Sequence, residues 1–336
     1  MHNFQKEQFL DLLRKQKKRV VIIADDTVTT LYADLLPSSI PLLSIPAGEK
    51  SKNRETKAAL EDRLLALKFG RDTLIVALGG GVVLDIAGFV AATYCRGVAW
   101  IAVPTTLLAM VDASIGGKTG VNTSFGKNLI GAIHLPEAIW MDPSFLETLP
   151  EKELQNGLAE MVKYGCIASI ELFEEVEKGL CTEEMIAKAC QIKREIVEED
   201  LTERGKRRLL NFGHTIGHAI ETLCNYEISH GEAIAFGMLV EGYLSMRREL
   251  LSLPSFERLE QAIKTLGFTL ELPREIAFEE LYETLILDKK SAGGLPRFVL
   301  LEEIGRAAVF SEEYCTTVEV ELLKECWTCY TLNRVG

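Results

Sequence analysis

The sequence predicts an open α/β domain with a mostly parallel sheet, followed by a mainly helical domain that carries a metal-centred site. Three observations support this. Short apolar runs rich in β-branched residues recur in the first 150 positions, as in buried parallel strands covered on both faces. After Pro150 the strand signal fades and helical spacing takes over. Three of the five histidines then fall in one short stretch, at His214, His218 and His230.

The elements follow in order. Residues 20–24 (VVIIA), 73–78 (TLIVAL) and 98–103 (VAWIAV) read as strands. Between the first two, residues 53–67 place Leu60, Leu64 and Leu67 among charges, the pattern of an amphipathic helix. Beyond Pro150, residues 151–177, 182–200, 213–223, 232–250 and 256–266 each read as a helix. The domain boundaries are therefore placed at 1–150 and 151–336, with the active site expected in the cleft between them. No internal repeat or low-complexity tract interrupts the pattern.

Composition narrows the function classes. A chain of 336 residues, 47% hydrophobic, is long enough for two domains and too apolar for disorder. Its formal charge of −12 argues against a general nucleic-acid surface while leaving room for local basic pockets. No run reaches membrane-span length and the start lacks an apolar signal segment, so no membrane partner and a cytoplasmic location are expected. The eight cysteines are scattered, most in apolar sequence, as expected of reduced core thiols. Cys326 and Cys329 form a lone CxxC with no second pair at zinc-finger spacing, and it is read as structurally incidental.

Two loops suggest anion chemistry. Residues 78–88 (LGGGVVLDIAG) leave a strand and open a helix. Gly79, Gly80 and Gly81 would let the backbone approach a pyrophosphate, while the helix start offers unpaired N–H groups. This is not GxGxxG, and alone it could be a tight turn. Residues 48–52 (GEKSK) and 104–106 (PTT) also follow strand-like segments, where a nucleotide at the sheet's carboxyl edge could be reached. Residues 110–122 and 126–128 set Lys118 and Lys127 among glycines and amides, a loop-like stretch able to wrap a small anion. Arg96, Lys163, Lys193, Arg207 and Lys289 or Lys290 could add positive charge.

The histidine cluster reads as a metal centre. His214 and His218, four apart, share one helix face, and His230 can return to them after a turn near Asn225. A carboxylate ligand must come from elsewhere. Glu160 is the candidate, because it lies in an apolar helical stretch where a carboxylate is otherwise costly to bury. Lys163, three residues on, shares its helix face.

These motifs together resemble the 3-dehydroquinate synthases of the shikimate pathway, from about Asp25 to Leu301. The matching segments are 48–52, 79–85, 104–106, 112–120 (DASIGGKTG), 126–132 (GKNLIGA), 160–163 (EMVK), 211–218 (NFGHTIGH) and 230–232 (HGE). The resemblance implies a Rossmann-like sheet domain binding NAD, and a helical domain holding zinc or cobalt through Glu160, His214 and His230. It makes His218 a hydrogen-bonding neighbour rather than a ligand, which revises the spacing argument. NAD contacts are implied for Asp25, Glu49, Lys52, Gly79, Gly80, Gly81, Asp85, Thr105, Thr106, Lys118, Lys127, Phe145 and Thr148. Substrate contacts are implied for Arg96, Asp112, Lys118, Lys127, Asn128, Lys163, Lys193, Arg207, Asn211, His218 and Lys290. Of these, Lys118, Lys163, Asn211 and His218 are the implied catalytic positions. The chain departs from the family pattern at Leu84, where a small residue is usual, and residues 287–290 do not choose between Lys289 and Lys290.

The implied reaction turns 3-deoxy-D-arabino-heptulosonate 7-phosphate into 3-dehydroquinate and phosphate. It proceeds by transient NAD-dependent oxidation, phosphate elimination, re-reduction and intramolecular aldol closure, in a homodimer. A metal-dependent polyol dehydrogenase of the glycerol type would share fold, nucleotide and metal but needs fewer anion-binding side chains. Another sugar-phosphate cyclase would lack the substrate carboxylate that Lys193 and Arg207 could meet. A non-catalytic nucleotide-binding protein would have no use for the ligand set.

Overall fold

The computed structural model describes residues 6–287 and 295–332. By internal contacts the chain divides into two compact units, Met1–Leu154 and Gln155–Gly336.

In the first unit, helix α1 (Lys6–Arg14) leads into strand β1 (Arg19–Asp25), and α2 (Asp26–Leu31) is capped by the Asp25 carboxylate, which accepts from Val28 N at 2.8 Å. Then follow β2 (Leu42–Ile45), α3 (Arg54–Ala66), β3 (Thr73–Gly79), α4 (Gly81–Thr93) and β4 (Ala99–Pro104). The hairpin β5 (Lys118–Thr123) and β6 (Gly126–Ile133) precedes the short strand β7 (Ala138–Ile139). Five strands form one parallel sheet in the order β2-β1-β3-β4-β7. Residues 74–78 are buried on both sheet faces, which explains an unbroken apolar run where a half-exposed strand would alternate. The chain moves one way from β1 to β2 and the other way from β1 to β3. The loops after β1 and β3 therefore flank a topological switch point, the place where open α/β sheets bind ligands.

The second unit contains most of α5 (Glu151–Ala168), then α6 (Ile170–Val176), α7 (Glu183–Glu199), α8 (His214–Leu223), α9 (His230–Arg247), α10 (Leu253–Thr265) and α11 (Phe278–Leu287). A small hairpin of β8 (Leu301–Glu303) and β9 (Arg306–Ala307) precedes α12 (Val320–Leu332). Helix α9 is apolar around nearly its whole circumference because it is enclosed by neighbours on all sides. Among the described residues no helix is long and apolar enough to cross a membrane.

Three sequence readings are corrected. The helix expected over 151–177 is two, because the Ser169 hydroxyl accepts from Leu172 N at 3.2 Å and starts a new helix, while Gly165 leaves room for Phe173 beside it. The helix expected from Glu232 begins at His230, fixed by a capping box in which Ser229 and Glu232 satisfy each other's backbone. The expected anion-wrapping loop is a π-helical turn at Ala109–Ala113 followed by the β5–β6 hairpin. Its glycines serve strand pairing: a Cβ on Gly131 would lie 2.0 Å from the Thr119 carbonyl oxygen. Finally, α1, α11, α12 and the β8–β9 hairpin were not read from the sequence at all.

Candidate active site

The first unit carries a site made mainly of backbone. β3 ends at Gly79, which pairs with Pro104 of β4, and Thr105 N donates to the Gly79 carbonyl at 3.0 Å. A side chain at Gly79 has no room, since its Cβ would stand 2.6 Å from Val83. At Gly80 a Cβ would meet Thr106 at 3.1 Å. The first turn of α4, starting at Gly81, carries no acidic residue, so nothing there opposes an anion. Leu84 is buried in the sheet core.

Around this loop lie Lys52 and Asp85, which form a tight ion pair. Burial pushes the Asp85 carboxyl up, the Lys52 ammonium pulls it back down, and Glu49 and Asp112 push it up further. Glu49 Oε1 accepts from Asn122 Nδ2 at 2.7 Å, Asn122 N donates to the Lys52 carbonyl at 2.8 Å, and Asn122 Oδ1 accepts from Asn128 N at 3.0 Å. The hairpin tip with Lys127 and Asn128 is thereby tied to the Lys52 loop. Asn122 belongs to this network and was missed as a site residue; only its place beside two lysines hinted at it.

Other residues of this unit are not gathered here. Lys118 opens β5 opposite Ile133, about 13 Å along the strand from Asn122 at the ~3.3 Å rise per residue of a strand. Arg96 is exposed beyond the C-terminus of α4, the far end of that helix from the glycines. Phe145 is buried edge-on against Tyr32 at 4.9 Å, and the Thr148 hydroxyl hydrogen-bonds the Tyr32 hydroxyl, so both side chains are engaged in packing.

The second unit carries a site made of side chains. α8 and α9 approach closely because Gly213, Gly217 and Gly237 face each other: a Cβ on Gly237 would lie 1.9 Å from the Gly213 carbonyl oxygen. Gly213 adopts φ +77°, a left-handed geometry suited to glycine, and its N–H donates to the buried Glu241 carboxylate at 2.9 Å. The glycines at 213 and 217 thus serve packing, while the histidines at 214 and 218 point from the helix into the site. His214 and His230 each place Nε2 against Glu160 Oε1, at 3.3 and 3.2 Å. Ring centroids of His214 and His218 are 5.2 Å apart, and those of His218 and His230 6.3 Å. The N-terminus of α9 is held to α5 by Gly231 N donating to Asn156 Oδ1 at 2.7 Å.

Glu160 is 0% exposed and ion-pairs with Lys163, itself 1% exposed. Burial works against the Glu160 charge, but Lys163 and the two histidines outweigh it and hold the carboxyl well below the usual range. Burial, with Lys163 close by, pushes the His214 imidazole down toward neutrality. His214 Nδ1 lies 3.1 Å from the Phe212 carbonyl, a contact that orients the ring with Nε2 toward Glu160. One ligand atom each from Glu160, His214 and His230 lies within 4.8 Å of the others, a set that fits a divalent ion with two nitrogens and one carboxylate.

Nearby in sequence, Arg207 and Lys193 are both buried cations, 2% and 5% exposed. The Asp200 carboxylate holds the turn before Arg207 by accepting from Gly205 N at 2.7 Å and Arg207 N at 3.2 Å. Asn211 Nδ2 donates to Glu203 Oε1 at 2.8 Å. Glu203 was missed because it precedes Asn211 across a turn and a 3-10 segment, where no periodicity links the two. Lys289 and Lys290 lie outside the described residues.

Comparison with known proteins decides the family. Residues 42–156 match the model of the 3-dehydroquinate synthase N-terminal domain, and residues 157–291 that of its C-terminal domain. The chain belongs to the 3-dehydroquinate synthase family. The 3-dehydroquinate synthase of Desulforamulus reducens is 42% identical to it over 88% of this chain and 87% of its own length. Among solved structures, this family member is similar to a 2-epi-5-epi-valiolone synthase from Streptomyces hygroscopicus with NAD+ and Zn2+ bound. The TM-score is 0.86 and the identity 29%, covering 95% of this chain and 93% of that one. A 2-deoxy-scyllo-inosose synthase complexed with carbaglucose-6-phosphate, NAD+ and Co2+ gives a TM-score of 0.83 at 26% identity, covering 96% and 94%. The family is thus one of sugar-phosphate cyclases and their kin, and the protein is an enzyme of it.

Proposed function

We propose that this enzyme converts 3-deoxy-D-arabino-heptulosonate 7-phosphate to 3-dehydroquinate and phosphate, as a phosphate-eliminating carbon–oxygen lyase using catalytic NAD and one divalent ion, zinc or cobalt. The observation that carries this reading is the Glu160, His214 and His230 donor set with a buried lysine beside it, in a chain of this family. When bound, the ion supplies Lewis acidity toward a substrate alcohol and NAD supplies a reversible hydride acceptor.

The chain's own residues do the rest. Gly79, Gly80 and Gly81 with the start of α4 receive the pyrophosphate, and Asp25, Glu49, Lys52, Asp85, Thr105 and Thr106 make up the surrounding nucleotide wall. Lys163 neutralises the phosphate, and the buried cations Lys193 and Arg207 take the carboxylate. Asn211, held by Glu203, orients a substrate hydroxyl, and His218 holds or passes a proton beside the ligand cluster. Asp112, Lys118, Lys127, Asn128 and Lys290 complete the proposed substrate contacts, with Lys118 also catalytic and Lys127 serving NAD; Arg96, at the far end of α4 from the glycines, is not included. On this reading residues 1–150 serve NAD and lend further substrate contacts, residues 151–336 serve metal and substrate, and the working form is a cytoplasmic homodimer.

The test is to incubate pure protein with the heptulosonate phosphate and substoichiometric NAD, and to measure phosphate, carbocycle and NADH together. Equal phosphate and 3-dehydroquinate with no net NADH is the expected result. Net NADH from a simple polyol would move the protein to the dehydrogenases.

A further inference from the structure

We infer that Glu221 is a positioning residue for the metal centre: its carboxylate holds the His230 ring by Nδ1 so that Nε2 is turned toward Glu160 and His214. This rests on the metal reading above. Glu221 lies on α8, seven residues after His214 and three after His218, and so shares their helix face. It is 4% exposed, and Oε1 stands 3.5 Å from His230 Nδ1. The opposite edge of the same ring sets Nε2 3.2 Å from Glu160 Oε1. The ring is therefore gripped between two buried carboxylates on different helices, one at each nitrogen.

The two ligand histidines differ in what holds them. His214 gives Nδ1–H to a neutral backbone carbonyl at 3.1 Å. His230 faces a charged acceptor, which fixes the tautomer and raises the basicity of Nε2 as a ligand. A carboxylate this buried is costly without donors, and His230 supplies one. α8 thus contributes twice to the centre, directly through His214 and indirectly through Glu221.

A competing arrangement is built from the same atoms, because donors of His218, Glu221 and His230 also lie within 4.8 Å of one another and could hold an ion themselves. The experiment separates the two. The full-length protein is stripped with a chelator, then zinc stoichiometry and affinity are measured against a chromophoric competitor for the wild type, Glu221→Gln and Glu221→Ala. The visible spectra of the cobalt forms are compared as well.

All three proteins are expected to bind one ion with the same cobalt band intensity, hence the same coordination number. Affinity should fall about a hundredfold in Glu221→Ala and about tenfold in Glu221→Gln, whose neutral amide oxygen still accepts from Nδ1–H. Unchanged affinity in both variants would overturn the inference. So would two ions in the wild type and one in the variants, or a cobalt spectrum altered as by loss of a ligand, since Glu221 would then be a ligand itself. If Glu221→Ala does not fold, the near-isosteric Gln variant decides alone. A wild type that binds no ion would overturn the metal reading, and this inference with it.

Discussion

The candidate sites of the two units are built on opposite plans. In the first unit the candidate site presents main-chain groups at a strand-to-helix turn, and glycines matter because a methyl group at Gly79 or Gly80 would press on Val83 or Thr106. In the second unit it is offered by side chains on α5, α8 and α9, and glycines matter because they let two helices approach. A backbone site tolerates changes in many surrounding side chains but not an added methyl group. A side-chain site tolerates neither the loss of a ligand nor an unpaired buried charge.

The largest expected effect lies in the second unit. His230→Ala should abolish retained metal and lower turnover at least about a thousandfold, because it removes a ligand from a three-residue set. Elemental analysis after gel filtration checks this, and stoichiometric metal in the variant would remove His230 from the centre.

Next, Lys163→Met should lower turnover about a hundredfold through loss of one charge-stabilising group. Because Lys163 and Glu160 are a buried pair, the same change should destabilise the metal-free protein by about 3–5 kcal/mol. Added zinc should restore much of that, as a second cation for Glu160. Denaturant melts with and without zinc test it, and equal losses in both would show that the ion does not replace the Lys163 charge.

Gly79→Ala probes the contrasting half. The added methyl would stand 2.6 Å from Val83, so overpacking of about 1–3 kcal/mol is expected, with NAD affinity reduced about tenfold or more and zinc content unchanged. Loss of zinc in this variant would break the division into two independent sites.

The smallest effect is graded with pH. In the metal-free protein burial alone would lower the His230 pKa, but hydrogen bonds to Glu160 and Glu221 dominate and push it up to about 10. Below that pH the ring carries a proton that an entering ion must displace, so zinc affinity should rise about tenfold per pH unit between pH 7 and 9 and one proton should be released. The same shift makes the ring's contribution to metal-free stability full below about pH 6.5 and lost as pH rises through about 10. Calorimetry in buffers of different ionisation enthalpy counts the proton. No release at pH 8 would mean that His230 is already neutral.

Much of this was written along the chain. Strands β1, β3 and β4 were legible because a strand buried on both faces must be continuously apolar, and α3 because Leu60 and Leu64 keep a helical period on its buried side, whereas Leu67, read with them, is exposed past the helix end. His214 and His218 were legible as one face because helical spacing is local, whereas the start of α9 was read at Glu232 although the capping box in residues 229–232 (SHGE) sets it at His230. Glu221 could have been read the same way, at the seventh position on that face. What local pattern could not give was any partnership across the fold. The grip of Glu221 on His230, the support of Gly213 by Glu241, and the tie between Asn122 and Glu49 join residues far apart in sequence or separated by turns, where no periodicity survives. The hairpin at 118–133 was misread as a loop because its glycines, chosen for close strand pairing, look like the glycines of a turn. Sequence determined which residues could do chemistry, since local spacing fixes which side chains share a face. Tertiary structure alone decided which of them meet and in what protonation state, because burial and opposing charge act through space rather than along the chain.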